Sequence, residues 1–210
     1  MSEHDVHSLV LAADFRVNKA QQIESLINAR HSRFAKIGAH HMVVYVSLCE
    51  PGRVLVTIGI RHQRSVQELL RSPVVFEWFD MAGVDDIPAI FAGEVLEKID
   101  LQSSGANDVT PGVIVGAVSA VDDVSNLMSK VHGGLERFRL AGVRQLRVYR
   151  ALDDDREVMA LLELDSQSAA RHWIEDPDAA AEWMSGAGMG AYPSLFVGNL
   201  AHAMSIEAAR

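Results

Sequence analysis

The sequence of this 210-residue chain is written twice. Shifting it against itself by 104 residues brings Val44-Tyr45 onto Val148-Tyr149, Arg33-Phe34 onto Arg137-Phe138 and Gly38 onto Gly142. The same shift pairs Leu48 with Leu152, Val54 with Val158, Gln63 with Gln167 and Pro73 with Pro177. One inserted residue then moves the shift to 105. That register matches Glu77-Trp78 with Glu182-Trp183, Ala82-Gly83 with Ala187-Gly188, Pro88 with Pro193, Phe91 with Phe196 and Gly93 with Gly198. One register with one gap over almost the whole chain is the mark of a tandem duplication. Residues 1–101 and 110–210 are then the two copies. The Ser/Gly/Asn-rich stretch within 102–109 is the linker.

Each copy repeats one order of elements. Ser8 to Arg16, and Gly112 to Ala120 in the second copy, are short apolar runs of strand length. Asn18 or Asp122 follows as a side chain suited to capping a helix. Ile23, Leu26, Ile27, Arg30 and Phe34 fall at helical spacing, as do Leu127, Val131, Leu135 and Phe138. Gly38 and Gly142 close these helices. Gly133-Gly134, inside the second of them, reads as close packing. Two β-rich runs come next, Met42 to Leu48 and Val54 to Ile60, joined by the turn Cys49-Glu50-Pro51-Gly52; the second copy turns at Asp153-Asp154-Asp155. A second helix is expected over Ser65 to Met81, with its copy at Ser168 to Met184, and a last strand over Ile90 to Ile99. The order β-α-β-β-α-β is the ferredoxin-like split unit.

A lone unit of this kind covers one face of its sheet with two helices and leaves the other bare. The first strand here is apolar on both sides, with Leu9, Leu11, Ala13 and Phe15 on one and Val10 and Ala12 on the other. The second copy is the natural cover. In element order and duplication the chain resembles the dimeric α+β barrel superfamily, the antibiotic-biosynthesis-monooxygenase-like and stress-responsive barrels. The fold class expected is therefore α+β, two tandem βαββαβ repeats packed sheet to sheet as an intrachain pseudo-dimeric barrel. The rival is the tandem βαβββ fold of the glyoxalase and extradiol dioxygenase group, which needs a strand where Ser65 to Met81 reads as helix.

Composition excludes several partners. The chain is 49% hydrophobic and 22% charged, the balance of an ordinary soluble protein. Its net charge of -9 and pI near 5.4, with no basic block, argue against nucleic acid. The longest uncharged run, Gly112 to Val121, falls well short of the roughly 20 residues of a membrane span. The acidic start, Met1-Ser2-Glu3-His4-Asp5, has no signal-peptide pattern, and the single cysteine, Cys49, suits a reducing compartment. A cytoplasmic location is expected.

Residues shared by both copies are most simply what the fold requires, among them Tyr45 with Tyr149 and Trp78 with Trp183. Both pairs also qualify as walls of a substrate pocket, because large aromatics dominate such contacts. Polar residues present in one copy only are the catalytic candidates. Asp14 aligns with Val118, Glu163 with Gly59, Glu94 with Asn199 and Arg147 with Val43. A carboxylate inside an apolar barrel would have a raised pKa and could serve as a general base. The alternative is a solvated strand end, or an ion pair such as Arg147 with Glu163.

No metal is expected from the nine histidines. His40 and His41 are adjacent, which on a strand points them to opposite faces, and no H-x-E, H-E-x-x-H or cysteine-rich spacing occurs. Glu50 beside Cys49 disfavours a nucleophilic thiol. No G-x-G-x-x-G, P-loop or G-x-S-x-G is present, so no nucleotide or other cofactor is expected. In heme-degrading members of the superfamily, a Trp on the second helix lies against the porphyrin, with an Asn on the first strand and a downstream His ligand. Here the strand carries Asp14 or Val118, and no His follows Trp78 or Trp183 in its helix; only His172, ahead of Trp183, keeps heme open. The resemblance implies a partner that is a small hydrophobic or aromatic molecule. It implies an activity of the cofactor-independent monooxygenase type, or else a non-catalytic ligand-binding or stress-response module. Met128, Met184 and Met189 could also mark a homo-oligomer interface.

Overall fold

The computed structural model of the chain describes residues 9–18, 34–35, 38–61, 66, 68, 70–84, 87–101, 112–175 and 195–206. Most of the first expected helix, the linker, Trp183, Met184 and Met189 lie outside the described residues. Eight strands are described: β1 (Leu9–Arg16), β2 (Ala39–Ser47), β3 (Arg53–Ile60), β4 (Ala89–Asp100), β5 (Val113–Ala120), β6 (Val143–Ala151), β7 (Glu157–Leu164) and β8 (Phe196–Ser205). The described helices are α1 (Pro73–Ala82), α2 (Val124–Gly133), α3 (Leu135–Leu140) and α4 (Gln167–Glu175). The fold is α+β with one large antiparallel sheet of eight strands. Among the described residues, no helix is long and apolar enough to cross a membrane. The chain forms two compact units, Met1–Ala92 with Leu200–Arg210, and Gly93–Asn199.

In the first unit β1 runs antiparallel to β3, from Leu9 opposite Ile60 to Arg16 opposite Arg53. β3 pairs in turn with β2, where Met42 faces Ile58 and Val46 faces Val54. Alternate residues of β1 have opposite duties, as period-2 geometry demands. Phe15 turns toward α1 and packs against Trp78 and Phe79, while Asp14 takes the other face. α1 starts at Pro73, whose missing N–H costs nothing in a first turn, so Arg71 and Ser72 interrupt the single long helix expected from Ser65. At the β2–β3 turn Gly52 has φ +78° and its carbonyl accepts from Val17 N at 2.9 Å. A side chain there would meet the Val17 carbonyl oxygen at 2.5 Å, so the turn requires glycine.

The second unit has β5 between β7 and β8, and β6 between β7 and β4. One face of this sheet carries its core. Val113 and Val115, Leu146 and Val148, Val158, Ala160, Leu162 and Leu164 meet Leu127 and Val131 of α2 and Phe138 of α3. Leu127 and Val131 lie four residues apart and so share one helix face, each only 1% exposed. Burying such side chains stabilises by roughly 1.5–3 kcal/mol each. Two local expectations are corrected here. The helix cap is Asp123, not Asp122: its carboxylate accepts from Ser125 N at 2.6 Å and Asn126 N at 3.2 Å. Gly133-Gly134 is not a close-packing pair, since a side chain at Gly133 would meet nothing within 4 Å. Gly134 instead ends α2 and begins α3, splitting the expected helix.

Candidate functional site

The polar residues of the second unit gather on the sheet face opposite its core, in three cross-strand rows set by register. The first row runs Ile114, Glu163, Gln145, Asp100 across β5, β7, β6 and β4. The next runs Gly116, Leu161, Arg147, Lys98, and the third Val118, Met159, Tyr149, Val95. Directly opposed residues share a face and interact. Arg147 donates from Nη2 to Glu163 Oε1 at 2.9 Å and from Nε to Gln145 Oε1 at 2.7 Å. Gln145 in turn donates to Asp100. Arg147 also acts on the Tyr149 hydroxyl, two residues along on the same face.

The electrostatics of this group follow from its burial. The Glu163 side chain is 13% exposed. Loss of water raises its pKa, and the cations of Arg147, Lys98 and Arg144 pull it only part of the way back. Burial likewise pushes the Tyr149 phenol up, against the pull of Arg147. Such an arrangement can accept a proton at Glu163 and hold a negative charge beside Arg147.

The structure thus brings together Arg147, Glu163 and Tyr149, three of the residues singled out by sequence. The other carboxylates have their own arginines. Asp14, in the first unit, accepts from Arg53 Nε at 3.0 Å and Nη2 at 2.6 Å. Arg53 also pairs with Glu50, which reaches Arg16. These carboxylates raise the Arg53 pKa, through the Asp14 hydrogen bond above all. Glu94 pairs with Arg150, both about two-fifths exposed, so solvent screens that contact. Tyr45 is buried on β2 opposite Leu55.

Trp78 occupies a different setting. It is 4% exposed and forms an edge-on aromatic nest with Phe15, centroids 5.3 Å apart, and Phe79 at 5.2 Å. Its indole N–H is buried and has no acceptor among the described residues. A buried donor left unpaired costs about 1–3 kcal/mol, so the nest is suited to an acceptor brought by a ligand or water. α1 itself carries no histidine after Trp78. Sequence reasoning missed Arg53, Gln145, Asp100 and Lys98. Arg53 alone left a signal, a charge at the start of an otherwise apolar strand.

No family model and no curated protein matches the chain. Solved structures do. An anthrone oxidase-like protein superposes with a TM-score of 0.70 at 14% identity, covering 95% of this chain and 94% of its own. A provisionally named monooxygenase of Fusobacterium nucleatum gives 0.61 at 8% identity, covering 97% of each. A heme-binding protein of Thermus thermophilus gives 0.55 at 12%, covering 92% of this chain and 91% of its own. At these identities the likeness carries the fold alone: the chain shares the α+β fold of these proteins.

Proposed function

We propose that this protein binds a small aromatic molecule and oxygenates it without a cofactor; the names of its fold neighbours, a monooxygenase and an anthrone oxidase-like protein, support the oxygenation. The observation that carries the reading is the Trp78 nest: three packed aromatic rings, one of them bearing a buried indole N–H with no acceptor among the described residues. Apolar walls with one placed donor are the usual make-up of a small-molecule site. The donor selects a carbonyl or phenol oxygen and stabilises negative charge developing on it.

The architecture belongs to the same reading. We infer two ferredoxin-like repeats, 1–101 and 110–210, joined by the linker 102–109. Equivalent features recur at the 104-residue shift. Gly38 and Gly142 have φ of 82° and 80°. Their carbonyls accept from Arg61 N at 3.1 Å and Asp165 N at 2.9 Å. The irregularity between Ala39 and His41 recurs between Val143 and Gln145.

Oxygen uptake with anthrone and polycyclic phenols tests the activity, and Trp78→Phe tests the site. Phenylalanine keeps the ring and removes the donor, so affinity should fall about fivefold, the roughly 1 kcal/mol of one hydrogen bond. Equal binding by both proteins would overturn the assignment. Binding without oxygen uptake would leave a ligand-binding module, the non-catalytic alternative.

A further inference from the structure

We propose that the first unit binds a small carboxylate anion where Gly38 meets Arg61, and that the Arg61 guanidinium holds it. Arg61 directly follows β3, and its backbone N–H donates to the Gly38 carbonyl at 3.1 Å. The residue is partly exposed, so solvent reaches it, yet its Nε is buried and has no hydrogen-bond partner. Its side chain makes no ion pair among the described residues. Arg16, Arg53, Arg139, Arg144, Arg147 and Arg150 all meet carboxylates, which sets Arg61 apart. A buried donor left without an acceptor costs free energy that a ligand's acceptor returns. For a guanidinium the strongest such acceptor is an oxyanion.

The aligned place in the second unit identifies the oxyanion as a carboxylate. Leu164 ends β7 as Ile60 ends β3, and Asp165 N donates to the Gly142 carbonyl at 2.9 Å as Arg61 N does to that of Gly38. His40 and Arg144 are the extra residues of matching strand irregularities. Their carbonyls accept from Ile206 N at 2.9 Å and Leu101 N at 2.8 Å. On backbones so alike, the side chains at these two positions come within reach of each other: Asp165 Oδ1 stands 3.5 Å from Arg144 Nε. The first unit carries Arg61 and His40 there, a cation and an imidazole with no carboxylate. The neighbouring acids are missing as well, since Glu163 aligns with Gly59 and Asp100 with Ser205. The His40 ring lies over Gly59, two residues before Arg61, and takes the room a side chain at 59 would need. A carboxylate for Arg61 therefore has to come from outside. It is small, because its counterpart is the head of an aspartate. Binding at Arg61 rests on the equivalence of the two repeats and is independent of the Trp78 nest.

The test is an NMR titration of the full chain with acetate, isotopically labelled at its carboxyl carbon, at constant ionic strength. Acetate is the head of an aspartate side chain without the backbone. The wild type should broaden the carboxyl resonance saturably, and acetate should raise the unfolding midpoint more than the same concentration of chloride. Arg61→Gln should weaken binding about tenfold or more, the loss of one charge-assisted hydrogen bond. Arg61→Lys keeps the charge but not the planar fork, and its affinity should fall between those of wild type and Arg61→Gln. Arg144→Gln and Trp78→Phe should bind as the wild type does. No saturable broadening in the wild type, or equal affinity in the wild type, Arg61→Lys and Arg61→Gln, would overturn the proposal. Inorganic phosphate binding more tightly than acetate would make this a phosphate site and overturn the carboxylate assignment. A loss confined to Trp78→Phe would place acetate in the aromatic nest instead, so the two readings fail separately.

Discussion

The imidazole of His40 lies over the backbone of Gly59, so close that a methyl group at position 59 would meet its Cε1 at 2.6 Å and its Nε2 at 2.8 Å. His40 is itself buried, and its carbonyl accepts from Ile206 N at 2.9 Å, tying the end of β8 to β2. A ring held this way cannot swing aside freely. Gly59→Ala should therefore destabilise the protein by about 1–3 kcal/mol, the usual cost of overpacking. His40→Ala should cancel much of that loss in the double variant, because it removes the clashing partner. Urea unfolding of the four proteins checks this, and purely additive effects would refute the contact.

Asp14 and Glu94 look alike in sequence, a carboxylate in an apolar strand, yet their surroundings predict different losses. The Arg53 side chain is 10% exposed and rests on Asp14 through several hydrogen bonds. Removing the carboxylate leaves a mostly buried cation with Glu50 as its remaining carboxylate partner, so Asp14→Ala should cost about 2 kcal/mol. Glu94 and Arg150 stand in solvent, and Glu94→Ala should cost well under about 1 kcal/mol. Comparable losses in chemical denaturation would contradict this division of the two ion pairs.

Glu163 gives a pH dependence with a definite sign. Its folded pKa lies above the ordinary 4.5, so the folded state binds its proton more tightly than the unfolded chain does. The stabilisation from this group is full below 4.5 and is lost as pH rises through the folded value. Compared with Glu163→Gln, the wild type should lose ground as pH climbs from about 4.5, then level off. Arg147→Gln removes a cation that holds the pKa down and should extend that window upward. Unfolding midpoints measured across pH decide the matter; a wild type that gains on Glu163→Gln with rising pH would mean a depressed pKa.

Strands and their apolar faces could be read in the sequence because period-2 burial is a local signal. Leu9, Leu11 and Phe15 needed no knowledge of their partners. The Arg147–Glu163 pair was legible too, since both residues differ from their aligned positions in the first copy, Val43 and Gly59, and lie on strands expected to be hairpin neighbours. The rest of its network was not. Asp100 reaches Gln145 through the β4–β6 ladder, a non-local pairing that also shifts register between Val95 and Glu97. The same kind of irregularity, between Ala39 and His41, defeats the simple alternation that sets His40 against His41. The Trp78 nest was half visible: the tryptophan stood out, but the orphaned N–H depends on packing that spacing alone does not encode.

Two adjacent aspartates offer a last test of local reading. Both Asp122 and Asp123 precede a helical pattern, and composition does not choose between them. The chain settles it by backbone geometry. Asp123 has the extended conformation of a cap, φ -152° and ψ 119°, and its Oδ1 receives two backbone N–H groups that α2 cannot satisfy internally. α2 holds Leu127 and Val131 against the sheet, so fraying at its start would loosen the second unit's core. Asp123→Ala should cost about 1 kcal/mol and lower Tm by roughly 2–4 °C for a chain of this size. Asp122→Ala should leave stability within about 0.5 kcal/mol of unchanged, as an exposed substitution with no cap to lose. Equal shifts, or the larger one at Asp122, would move the helix start by one residue.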